Sequence, residues 1–223
     1  MKTIIRQFNH PRSVSSPINL NITKMKNIFK HIPAMIAIGI MSLTSNLYAQ
    51  SIYKLTDSKD IGMKLSGTST LHNWTMNASA FGGEAQFEVK QDSRQLSAIK
   101  SLTFSLAVQD LKSGESGLDK NAYKALKTST YKDIVFKLLS ATVTPGKDNK
   151  YLVKAQGNLT IAGVTKEVTI NATAVVNENG TITCTGSHQL NMTDYGVKPP
   201  TFMLGAMKTG DAITLDFTMV YKK

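Results

Sequence analysis

Residues 151–176 read YLVKAQGNLTIAGVTKEVTINATAVV, and their alternation decides the fold. Tyr151, Val153, Ala155, Leu159 and Ile161 fall on one side of an extended chain, opposite Lys154, Gln156, Asn158 and Thr160. Past the turn signal IAGVTK (161–166) the pattern restarts, with Val168, Ile170, Ala172 and Ala174 against Glu167, Thr169, Asn171 and Thr173. Period-two alternation broken by a glycine turn predicts two antiparallel strands with one face covered and one in water.

The same rhythm spreads outward from this pair. AQFEVK sets Ala85, Phe87 and Val89 on one face, and SLTFSLAV does so with Leu102, Phe104, Leu106 and Val108. DAITLDFTMVYKK repeats it with Ile213, Leu215, Phe217, Met219 and Tyr221. Further turn signals stand at FGGE (81–84), TPGKDNK (144–150), NENGT (177–181) and KTGD (208–211). One stretch differs: Leu118, Ala122, Ala125 and Leu126 recur at helical spacing, predicting a helix near 118–128. Eight or nine antiparallel strands and one helix in a single domain leave a sandwich or a closed barrel. Closure removes exposed strand edges. Small inward residues (Ala155, Gly157, Ala172, Ala174) suit a barrel with something inside.

The net charge of +11 is unevenly placed. Residues 1–49 hold six basic residues and no Asp or Glu, so 20 of the 26 Lys and Arg face 15 acids in the remainder, a net +5. That balance, with scattered lysines and one tryptophan, does not describe a nucleic-acid binder. From Met25 the chain reads as a basic start (Lys26, Lys30), an apolar run Ile32–Leu43 and a small-residue exit at Ala49, the layout of a secretory signal peptide. The expectation is an N-terminal extension over 1–24 ahead of the real start, a leader over 25–49, and a barrel domain over 50–223 that is periplasmic or secreted. Cys184 is the only cysteine, so no internal disulfide supports that domain.

Four stretches then carry a resemblance: GTSTLHNWTMNASAFGGEAQF (67–87), GLDKNAYKALKTSTYKDIVFKL (117–138), GNLTIAGVTKEVTINATA (157–174) and LNMTDYGVKPPTFMLGAMKTGDAITLDFT (190–218). The sequence resembles the YceI-like proteins. The resemblance implies an all-β fold, an extended antiparallel eight-stranded lipocalin-like barrel with one short helix around an apolar tunnel. It also implies holding a polyisoprenoid chain or related amphiphile without catalysis. No cofactor is expected beyond a bound polyisoprenoid or prenyl-quinone-like lipid as ligand. The partners are an isoprenoid or fatty amphiphile, no nucleic acid and at most transient membrane contact, with a homodimer left open. The alternative is a structural or partner-binding module of the cell envelope.

Lining residues follow from the chain's own parity: Trp74, Met76, Phe87, Phe104, Leu106, Phe136, Leu138, Val153, Ala155, Leu159, Ile170, Leu215 and Phe217. Phe202 and Met203 join them from the loop 194–211, an apolar lid or a plug. His72, Lys198 and Lys208 are the candidates for headgroup contact. His72 shares a predicted strand face with Trp74, and no acid stands between Gly62 and Gly83 to orient it, which argues against a catalytic role. No metal site is expected from two histidines and one cysteine in 50–223.

Overall fold

The alternating stretches fold as eleven antiparallel strands in a computed structural model of the chain, which describes residues 51–56, 61–78, 80–90, 93–202 and 205–223. The expectations for 1–24, for the leader 25–49 and for Met203 lie outside the described residues. In chain order come β1 (Ile52–Leu55), β2 (Gly62–Ser69), β3 (Trp74–Ala78), β4 (Gly82–Lys90) and β5 (Gln95–Ala107). A helix, α1 (Ser116–Ala125), precedes β6 (Asp133–Pro145). The hairpin that opened the sequence reading is β7 (Lys150–Ile161) and β8 (Val164–Val176). The chain ends with β9 (Ile182–Asn191), β10 (Thr201–Phe202) and β11 (Met207–Lys222).

Eight of these close on themselves in the order β1, β4, β5, β6, β7, β8, β9, β11 and back to β1. Among the described residues the fold is therefore the antiparallel barrel with one short α-helix. Sixteen residues long, β11 is the seam. It pairs with β9 from Ala212 to Tyr221, with β1 at Tyr221 and Lys222, and with β2 from Thr209 to Thr218. The β2–β3 hairpin extends the wall where β1 stops. Two seams are only partly zipped. β5 meets β6 over Thr103–Ala107, and β8 meets β9 over Ala172–Val176. The short turn Met192–Tyr195 packs beside the open part of the latter, with Val164 Cγ2 close to Gly196.

Three expectations about local structure change. The strand starts at Trp74, so His72 stands in the β2–β3 turn and not on a strand face with it. Ser69 explains the turn: its hydroxyl donates to the His72 carbonyl (2.7 Å) and accepts from the His72 amide (3.2 Å). KTGD (208–211) is no turn but an irregularity within β11, because the reversal comes before Met207. The helix starts two residues earlier than its apolar spacing suggests and stops at Ala125, where Lys127 turns left-handed (φ 54°) and Thr128 caps the Tyr123 carbonyl.

One end of the barrel is closed by side chains. Tyr53, Phe87 and Tyr221 are buried, and Phe87 meets each tyrosine nearly edge-on at 5.3 Å between ring centroids. Ile182 and Ala174, both fully buried, complete this end of the core. The acids stay outside, as parity requires: Glu84, Asp148, Glu167 and Asp216 are exposed, and Glu88 pairs with Lys100 at 3.3 Å on the outer face.

Candidate functional site

Beyond the aromatic plug, the barrel is hollow. A cavity of about 490 Å³ runs through it, within the size range of small-molecule sites. Its walls are carbon almost throughout. β5 and β6 contribute Leu102, Phe104, Leu106, Phe136 and Leu138, and β7 and β8 contribute Val153, Ala155, Leu159, Ile170 and Ala172. Across from them stand Met63, Leu65, Trp74 and Met76 on the β2–β3 hairpin, with Leu215, Phe217 and Met219 on β11. The polar side chains gather chiefly at one end: Ser69, His72 and Thr209, with Glu115 and Asn121 at the helix.

The helix itself is wall. Leu118, Ala122, Ala125 and Leu126 line the cavity, one face of α1 at helical spacing. Its opposite side is held by Tyr123, whose hydroxyl lies 2.7 Å from the Leu111 carbonyl and accepts from Lys112 Nζ at 3.0 Å. Lys112 in turn bridges to Asn77 of β3, so the helix is tied to the hairpin carrying Trp74. Met192, Tyr195 and Val197 also line the cavity and are buried. Of the segment 194–211, expected as a lid or a plug, the described residues Tyr195, Val197, Pro200, Met207 and Thr209 line the cavity.

Most of the residues chosen by parity come together here: Trp74, Met76, Phe104, Leu106, Phe136, Leu138, Val153, Ala155, Leu159, Ile170, Leu215 and Phe217 all line the cavity. Phe87 does not, because it belongs to the aromatic plug. Phe202 pairs through its backbone with Met207, and Met207 lines the cavity. Among the headgroup candidates, His72 is exposed at the polar end. Lys208 is brought near by its backbone, which exchanges hydrogen bonds with Thr70 at 3.0 and 3.2 Å. Lys198 is exposed and lines no wall. Sequence reasoning missed the α1 residues, although their spacing had been noticed. It also missed Tyr195 and Val197, which follow no strand periodicity.

Two titratable groups face the inner side of β9. Burial pushes the Cys184 thiol up to about 12, so it stays protonated and behaves as an apolar wall group. His188 stands opposite Leu215 in register and is half-buried, which pushes its imidazole below the usual 6.5. The sign follows directly. The unfolded chain takes up this proton before the folded one does, so His188's contribution to stability is complete above about pH 6.5 and is lost as pH falls below it. Urea denaturation between about pH 7.5 and about pH 5 is expected to show His188→Gln losing less stability than wild type. Parallel losses would show that His188 does not titrate differently on folding. Among the described residues no group of three or more His, Cys, Asp or Glu is placed to hold a metal ion.

The sequence pattern of the YceI-like domain matches residues 55–221. No curated protein matches the chain. Among solved structures, BcnA of Burkholderia cenocepacia superposes with a TM-score of 0.53 at 19% identity, over 71% of this chain and 95% of that one. A polyisoprenoid-binding domain from Saccharophagus degradans superposes with a TM-score of 0.58 at 12% identity, over 76% and 97%. At such identities the likeness is one of fold.

Proposed function

This chain belongs to the YceI-like family, and from that premise we propose that it is an exported carrier that encloses a polyisoprenoid or similar apolar chain without transforming it. The observation that carries the reading is the hollow, carbon-walled barrel whose polar groups collect chiefly at one end. The polyisoprenoid-binding domain of similar fold supports the choice of ligand class. Export, to the periplasm or outside the cell, is supported by the leader pattern read over residues 25–49. A non-catalytic role is supported by the polar end, where the Ser69 hydroxyl is engaged by the backbone carbonyl and amide of His72 and not by its imidazole.

Size and energy agree on the cargo. At roughly 30 Å³ per heavy atom, the liquid share of one water, a cavity of about 490 Å³ takes about sixteen carbons, or three isoprene units. Each buried methylene contributes about 0.8 kcal/mol, so three five-carbon units contribute about 12 kcal/mol. Association costs at the low end of roughly 4–15 kcal/mol leave about 8 kcal/mol, which is micromolar binding. A chain longer than the lumen gains no further burial, so affinity should rise with chain length and then level off.

Trp74 is the only tryptophan and lines the cavity, which makes its emission a direct reporter. Delipidated protein titrated with brominated prenyl and fatty chains is expected to show saturable quenching in the micromolar range. Mass spectrometry of an organic extract of the native protein identifies what it carries. An empty extract together with no quenching would sink the carrier reading and leave a partner-binding barrel of the cell envelope.

A further inference from the structure

We infer that glycine–aromatic pairs across neighbouring strands set the girth of the cargo this barrel accepts, with Gly67 and Trp74 acting at the polar end. This rests on the carrier reading and deepens it. Among the described residues six aromatic side chains line the lumen (Trp74, Phe104, Phe136, Tyr195, Phe217 and Tyr221), and three of them lie against a glycine: Trp74 against Gly67, Phe136 against Gly157, and Phe217 against Gly186. Gly67 and Trp74 are register partners, as are Gly186 and Phe217. A methyl group at any of the three glycines would overlap the facing ring. None of the three has a left-handed φ, so backbone conformation does not require glycine there. The space is needed by the rings.

The consequence is geometric. An aromatic side chain at an inward position fills a lumen when it stands upright and leaves it open when it lies against the wall. Glycine on the adjacent strand provides the recess in which it lies. At Trp74 the orientation is also fixed by a hydrogen bond, because the indole Nε1–H donates to the Thr68 carbonyl at 3.1 Å. The Trp74 side chain and His72 both line the polar end, so a cargo entering there passes the indole early. A flat indole leaves room for the side methyls of a prenyl chain, whereas a raised one favours a thin, unbranched chain.

Gly67 gives the cleaner test. A Cβ at Gly157 or Gly186 would also crowd a backbone oxygen, Lys137 O at 2.6 Å or Asn171 O at 2.8 Å, whereas at Gly67 its three nearest neighbours are all indole atoms. Calorimetric titration of the wild type, Gly67→Ala, Trp74→Phe and the double variant would compare a three-unit prenyl alcohol with a linear alcohol of equal carbon count. One methyl in a tight apolar site shifts discrimination by about tenfold or more. Gly67→Ala is therefore expected to lower the prenyl-to-linear affinity ratio about tenfold. The double variant should recover most of it, since the smaller phenyl ring clears the new methyl. Melting curves by circular dichroism establish that each variant is folded. Should Gly67→Ala fail to fold, Trp74→Phe alone must raise the ratio. An unchanged ratio in the folded variants, or an equal loss of both ligands that the double variant does not restore, overturns the girth assignment while the carrier reading stands. A wild type that binds neither alcohol overturns the carrier reading and the girth assignment with it.

Discussion

Ala155→Trp is expected to give a folded protein that holds no chain. Ala155 lies in mid-β7, paired with Ala141 and Ile170, and its side chain opens on the lumen. An indole there adds roughly nine heavy atoms to a space with room for about sixteen at liquid density. Cargo and indole then compete for the same volume, and more than half of the apolar burial available to the cargo disappears. Losing about half of some 12 kcal/mol of transfer free energy takes micromolar binding to roughly ten millimolar or weaker, a loss on the order of ten-thousandfold. Stability should hardly move, because the new side chain enters empty space and displaces no packed neighbour. A Tm within about 4 °C of wild type corresponds to about 1 kcal/mol for a domain of this size. Retained quenching at wild-type concentrations would place the cargo somewhere other than the barrel interior.

Phe87→Ala should do the reverse. The residue is 5% exposed and sits between Tyr53 and Tyr221 in the plug, and it does not itself line the cavity. Truncating a buried phenylalanine costs about 3–5 kcal/mol through lost transfer and the hole left behind. The Tm is expected to fall by about 10 °C. Chain affinity, measured well below the new Tm, should change by less than about threefold, a shift below 1 kcal/mol. A collapse of affinity with intact stability would mean that Phe87 touches cargo, as its parity alone had suggested. The two variants together separate what holds the barrel closed from what keeps it hollow.

Phe87 also shows where sequence reading reaches its limit. Alternation along β7, β8 and β11 says which side chains point inward, and it does so because a strand's side-chain period is two. It does not say how far along the barrel axis an inward side chain lies. Phe87 and Phe104 have the same parity, yet one plugs the end and the other lines the space. That difference depends on the β4–β5 register, in which Phe87 stands opposite Ile99 and Phe104 opposite Gly83. His72 fails for a related reason. The local pattern around Trp74 is the same in a strand and in a tight turn beside one, and the Ser69 hydroxyl selects the turn. The α1 wall was half legible: spacing revealed the helix, but only the fold shows which face meets the lumen. Tyr195 and Val197 carry no periodic signal, and their burial follows from the gap left where β8 and β9 part.

The long β11 has a consequence for how the molecule comes into being. Every other strand that closes the barrel precedes it in the chain, and its partners β1 and β2 lie more than a hundred residues away in sequence. Until β11 arrives, β9 lacks one neighbour, β1 and β2 cannot be brought together, and the lumen has no fourth side. Pairings at that separation give a high contact order, which slows folding towards the millisecond-to-second range typical of all-β domains. A chain in this condition remains open for as long as its final segment is withheld. For the exported carrier proposed above, a barrel that latches only at its last strand is well matched to such a delay.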